Sequence, residues 1–180
     1  MSVERTTAIL KPLARHLADP AVAGICRNRT FIMGNDHTAT TRQSRNGDSV
    51  MLITGRTGVG KSTLLDRFVK KHKGGIQLLR PKNLSGDVFD LSVVDWANHA
   101  AVVVDEVGNW DRSSIRSAIG ALEAEANTTG KKLVLVSMFP ADLDSYGINL
   151  ARKPVVFELQ SPNNVASLPL KFDGTHLHFK

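Results

Sequence analysis

The run Gly55-Arg56-Thr57-Gly58-Val59-Gly60-Lys61-Ser62 constrains this chain more than any other segment. The apolar stretch VMLIT at 50–54 precedes it, with no polar alternation, which predicts a short strand buried on both faces. Leu64, Leu65, Phe68 and Val69 follow, spaced to form one apolar stripe on a helix from about Lys61 to Lys71. The run matches G-x-x-x-x-G-K-[ST], and Thr63 extends it. Each part has a physical reason. The glycines let the backbone curl so that successive N–H groups converge on a β-phosphate. The helix N-terminus points its positive dipole end at the same phosphate. Lys61 places a mobile charge between the β- and γ-phosphates, and the Ser62 hydroxyl completes the coordination of Mg²⁺. Gly55, Arg56, Thr57, Gly58, Val59, Gly60, Lys61, Ser62 and Thr63 are therefore the expected ATP-binding residues, with Lys61 also a catalytic one.

A second apolar run, AVVV at 101–104, ends in Asp105-Glu106. A buried strand ending in an acid is the form of a Walker B element. Asp105 is expected to hold Mg²⁺ through Ser62 or a water, and Glu106 to orient and deprotonate the attacking water. Carboxylates also cap strand ends before turns, which is the structural alternative. Two adjacent acids after four apolar residues, downstream of such a loop, favour hydrolysis over transfer to a small acceptor.

The remaining chain reads as alternating strands and helices, which predicts an α/β fold with a mostly parallel central sheet in three layers. Residues 76–79 and 155–159 read as further strands, and 133–136 as a third buried one ending at Ser137. Residues 112–127 read as a helix capped by Asp111, with Ile115, Ile119 and Leu122 inward and Asn127-Thr-Thr-Gly130 stopping it. Asp173-Gly174 lies between two short alternating segments, a hairpin signal. The expected organisation is an N-terminal extension and linker at 1–46, with a helix from about Val3 to Leu17, then a core at 47–160 and a C-terminal hairpin at 161–180.

At this point the sequence resembles the additional-strand, catalytic-glutamate class of P-loop ATPases. The segments ITGRTGVGKST and VVVDEVGNW are most similar to the FtsK–HerA superfamily of DNA translocases, DNA-export motors and conjugative coupling proteins. The resemblance covers roughly residues 50–140, and the two Walker elements carry its specificity. It implies ATP and Mg²⁺ as ligands, DNA or a partner protein of a DNA-transfer machine, and a possible homo-oligomer. Only 44 positions separate Lys61 from Asp105, short for that superfamily, and Ser137 stands where its members commonly place a glutamine. Ser137 is a candidate γ-phosphate sensor or simply a structural strand end. Arg112, Arg116 and Arg152 are candidates for an arginine donated to a neighbouring subunit's site, or solvated surface.

Composition bounds the alternatives. The chain has 180 residues, 42% of them hydrophobic, which suits one α/β domain and not a disordered chain. No apolar run has the length of a membrane span and the N-terminus shows no secretory pattern, so a cytoplasmic location is expected. Cys26 is the one cysteine and cannot form an internal disulfide. The formal charge of +6 is compatible with a nucleic-acid partner, and the cluster Lys70, Lys71, His72, Lys73 also suits a solvated helix end. His176 and His178 share a strand face but lack an evident third metal ligand. Trp96 reads as core and Trp110 as the better candidate for a contact near the site. A DNA-coupled ATPase and a slow nucleotide-dependent switch acting on a partner protein are the two expectations. A small-molecule kinase lacks an arginine-bearing lid, and no Asn-Lys-x-Asp segment occurs to read guanine.

Overall fold

A computed structural model describes residues 48–160 and 168–180. The expected helix at 3–17 and the linker before residue 48 lie outside the described residues. Five strands form one sheet: β1 (Val50–Thr54), β2 (Ile76–Leu79), β3 (Ala101–Val104), β4 (Lys132–Val136) and β5 (Val155–Glu158). Every pairing between them is parallel, and the spatial order is β2-β3-β4-β1-β5. A separate two-stranded antiparallel hairpin joins β6 (Leu170–Phe172) to β7 (Leu177–Phe179). The architecture is α/β and compatible with three layers.

The unbroken apolar character of β1 follows from its interior place between β4 and β5. Val50 and Leu52 join a core on one face with Ile115, Ile119 and Leu122 of helix α2 (Arg112–Thr129). Met51 and Ile53 join a second core on the other face with Leu65 of helix α1 (Lys61–Lys71). The hairpin supplies Leu170, Leu177 and Phe179 to that second core, so it packs on the sheet beside α1. Met51, Leu52, Ile53 and Leu65 are at most 1% exposed, each stabilising the fold by about 1.5–3 kcal/mol relative to exposure. A short helix, α3 (Ala141–Ser145), adds Leu143 to the first core.

The helix boundaries have local causes. Gly60, at φ 92°, turns the chain into α1, and at the other end the His72 N–H bonds the Phe68 and Val69 carbonyls. The His72 ring lies edge-on between Phe68 and Phe172, tying α1 to the hairpin. Asp111 caps α2 by accepting from the Ser114 N–H at 2.8 Å. The expected stop at Asn127 is two residues early. Thr128 and Thr129 stay helical, their hydroxyls bonded to the Ala124 and Glu125 carbonyls, and Gly130 ends the helix at φ 70°. Among the described residues, no helix is long and apolar enough to cross a membrane.

Candidate functional site

In an all-parallel sheet the strand C-termini share one edge, and here the residues after β4 and β5 meet the glycine-rich loop that leaves β1. The loop leaves β1 through Gly55, whose N–H bonds the Met138 carbonyl at 3.1 Å. Gly55 has φ 150° and is buried, and a β-carbon on it would meet the Leu159 carbonyl oxygen at 2.5 Å. Gly58 and Gly60 also take positive φ, at 84° and 92°. Arg56, Thr57, Gly58 and Thr63 are exposed, Gly60, Lys61 and Ser62 half-buried, and Val59 packs inward against the second core.

A cleft of about 690 Å³ opens beside this loop. Its loop side is made by Thr57, Gly58, Gly60, Lys61, Ser62 and Thr63, and its far side includes Glu106, Asn109, Ser137 and Tyr146. Exposed apolar side chains of Leu84, Met138 and Phe139 edge it. The Lys61 ammonium donates to the Gly55 carbonyl and, at 3.2 Å, to that of Arg56. Burial lowers its pKa, while Asp105, Glu106 and Asp142 act in the opposite direction. The fold thus brings all three carboxylates within electrostatic reach of Lys61.

Asp105 lies behind the cleft, 1% exposed. Its Oδ2 accepts from Arg80 Nε at 2.8 Å and its Oδ1 from the Glu106 N–H at 3.1 Å. Arg80 follows β2 directly and reaches further, donating from Nη1 to Asp66 of α1 at 2.7 Å and from Nη2 to the Ser62 carbonyl at 3.3 Å. Burial alone would lower the Arg80 pKa, but its bonds to Asp105 and Asp66 outweigh that and raise it. Glu106 is exposed and, among the described residues, the one non-glycine with positive φ, at 48°. Its carboxylate accepts from the Asn109 amide, and its carbonyl accepts from the Asn109 N–H at 2.8 Å.

Ser137 ends β4 at the cleft but is only 2% exposed, and its hydroxyl donates to Asp142. The same Asp142 oxygen accepts from the Met138 and Phe139 N–H groups at 3.1 and 2.8 Å. Tyr146 donates its hydroxyl proton to the Gly108 carbonyl, linking α3 to the turn after Glu106. Arg112 stacks over the Tyr146 ring at 5.2 Å and donates to the Ser145 carbonyl, so it is committed to α3. Arg152 sits on a loop whose 151 and 152 N–H groups bond the buried Glu123 carboxylate. Trp110 donates its indole N–H to the Asp105 carbonyl at 3.0 Å and meets Phe89 edge-on, whereas Trp96 packs against the first core.

Arg80, Asn109, Asp142 and Tyr146 were not singled out by the sequence reading. For Arg80 a signal exists, because a charged residue directly after an apolar strand lies on the sheet edge that carries the site. For the other three no local pattern marks them.

Ser62 and Asp105 are hard oxygen donors, the kind Mg²⁺ takes, and two protein ligands suffice for an ion that also binds phosphate oxygens and waters. Arg80 contacts the Asp105 carboxylate and the Ser62 carbonyl, so the two residues are neighbours in space. Among the described residues, no group of three or more His, Cys, Asp or Glu side chains forms a self-sufficient metal site. His178 bonds Asp173 at 2.9 Å within the hairpin. No protein-family model matches the chain, and no curated protein sequence matches it.

Proposed function

We propose that the chain binds ATP with Mg²⁺ at Gly55–Thr63 and hydrolyses it, with turnover coupled to DNA handling or DNA transfer. The observation that carries this reading is that Lys61, Ser62 and Glu106 line one open cleft, with the buried Asp105 tied to Ser62 through Arg80. The strand order supports it further. The strand β4 lies between β1, which leads into the glycine-rich loop, and β3, which ends in the two acids. That interposed strand is what the name of the resembled ATPase class describes.

In this reading the loop N–H groups and Lys61 bind the phosphates, and Lys61 must leave its two carbonyl partners to do so. Ser62 and Asp105 would hold Mg²⁺, which supplies charge neutralisation on the phosphates when bound. Glu106 takes the proton of the attacking water, and Asn109 sets the direction of its carboxylate. Support for an anionic polymer as partner comes from charge. The first 47 residues hold seven Lys and Arg against three Asp and Glu, whereas the other 133 hold 16 against 14. A basic stretch of sequence that precedes a nearly neutral one is an electrostatic footprint for nucleic acid.

One observation favours a slow switch as the second reading. Asp105 and Glu106 are each engaged by a protein side chain, Arg80 and Asn109, which both have to yield or reorient during turnover. The deciding measurement is steady-state ATP turnover with and without single- and double-stranded DNA. Under the motor reading DNA raises turnover, Glu106→Gln reduces it by about 10²–10⁴-fold while retaining ATP, and Lys61→Ala loses nucleotide binding. Slow turnover indifferent to DNA selects the switch, and undiminished nucleotide affinity in the Lys61 variant removes the site.

A further inference from the structure

Besides having to yield during turnover, the Arg80 side chain ties three parts of the site together, bonding Asp105, Asp66 and the Ser62 carbonyl. It is the one described group that touches the Asp105 carboxylate, helix α1 and the backbone of Ser62 together. Asp105 is a carboxylate that needs a cation beside it. Its side chain is 2% exposed, and a buried carboxylate deprived of a cationic partner is costly. On the reading above, the same carboxylate is also the one that serves Mg²⁺.

We propose that Arg80 is the internal rival of the divalent cation for Asp105, and thereby sets the Mg²⁺ concentration at which this site holds a nucleotide tightly. The inference rests on the assignment of Asp105 as a metal ligand. Two observations and a property of the metal carry it. Arg80 Nε stands 2.8 Å from Oδ2, while Oδ1 already accepts the Glu106 N–H, so both carboxylate oxygens are engaged. Mg²⁺ binds carboxylate oxygens at about 2.0–2.1 Å and brings two positive charges, so a guanidinium on the same buried group opposes it strongly. Finally, Arg80 has somewhere to go. Nη1 is bonded to Asp66 at 2.7 Å, and that pair lies in the open, with side chains 35% and 54% exposed. The guanidinium can swing off Asp105 while staying anchored on α1. Asp66 is thus the positioning residue for the exchange, and Arg80 is the positioning residue for Asp105.

The two residues then have opposite signs in the same assay. Removing Arg80 frees Asp105 for the metal, whereas removing the charge of Asp66 takes away the alternative anchor and strengthens the hold of Arg80 on Asp105. The test uses the full chain, a fluorescent ADP analogue read by anisotropy, and Mg²⁺ titrated from zero. Binding of Mn²⁺ alone, read by electron paramagnetic resonance, provides a signal free of nucleotide and of turnover. Arg80→Gln is expected to lower the half-saturating Mg²⁺ by roughly tenfold or more and to tighten Mn²⁺ binding in parallel. Asp66→Asn is expected to raise the half-saturating Mg²⁺ severalfold. That rise should shrink in the Asp66→Asn, Arg80→Lys double variant, because lysine lacks the fork that spans three partners.

An unchanged or increased Mg²⁺ requirement in Arg80→Gln overturns the proposal and leaves Arg80 as a brace between α1 and β3. Equal loss of ADP binding at every Mg²⁺ concentration also overturns it, assigning Arg80 to the phosphates. If Arg80→Gln does not fold, Asp66→Asn alone decides by the sign of its shift. Wild-type protein that binds no nucleotide at any Mg²⁺ concentration defeats the ATP-binding reading itself, a result distinct from a nucleotide-binding protein whose Mg²⁺ requirement ignores Arg80.

Discussion

Gly55 shows how much a single residue can settle. With φ at 150° and the Leu159 carbonyl 2.5 Å from where a β-carbon would stand, only hydrogen fits. The close approach has a structural source, because the Leu159 N–H bonds the Thr54 carbonyl at 2.8 Å and draws the chain after β5 against the loop. Gly55→Ala is expected to destabilise the protein by about 1–3 kcal/mol and to weaken nucleotide binding, since the clash lies at the loop's first residue. Urea unfolding with a parallel nucleotide titration checks both effects, and a loss of stability alone would separate the loop's scaffold from its ligand. Glu106 is the counterpart on the other strand. Its left-handed backbone is a conformation that side chains rarely adopt, held by the Asn109 amide on the carboxylate and the Asn109 N–H on the carbonyl. Neither the φ of Glu106 nor its partner is marked by the sequence, where Asp-Glu after four apolar residues marks only the position.

At the scale of elements, the hairpin β6–β7 is the part whose stability titrates most openly. The turn carboxylate of Asp173 accepts first from the His176 N–H at 2.7 Å, then from His178 at 2.9 Å and the Thr175 N–H at 2.8 Å. These bonds hold its pKa well below the usual carboxylate range. A depressed pKa contributes stability that is complete above the unfolded value, about 3.9, and is lost as pH falls from there toward the folded value. Asp173→Asn should therefore loosen the hairpin at pH 7, and the difference from wild type should narrow as pH falls below about 4. Amide hydrogen exchange at Lys171 and His178, the bonded pair of the ladder, reads this directly. A constant difference at all pH values would show that shape, not charge, holds the turn. The hairpin matters beyond itself because Phe172 rests on His72 and on Gly75, where a β-carbon would come within 2.2 Å of the ring.

For the whole molecule, the separation of charge makes the sharpest claim. The nearly neutral core and the basic first 47 residues predict that any DNA affinity is electrostatic and salt-dependent. If about four phosphates are neutralised, log K should fall against log salt with a slope of roughly −3 to −4. Fluorescence anisotropy of labelled DNA at several salt concentrations measures it. Salt-independent binding, or none at low salt, would redirect the search to a protein partner.

What the sequence by itself determined is local. The bounds of β1, α1, β2 and β3 follow from apolar runs, glycines and helical spacing within a few residues of each other. The place of the loop and of Asp105-Glu106 is legible for the same reason. What only the tertiary structure decided is the pairing across distance. The insertion of β4 between β3 and β1 depends on parallel pairings whose strands are separated by whole helices. The contact of Arg80 with Asp105 spans 25 positions, and that of Tyr146 with Gly108 spans 38. Arg112 was a free candidate in the sequence and is a clamp on α3 in space. Periodicity records which face of an element is buried, but it carries no information on which distant side chain arrives to meet a buried charge. That is set by the packing of the sheet, which brings the ends of β2 and β3 to the same edge.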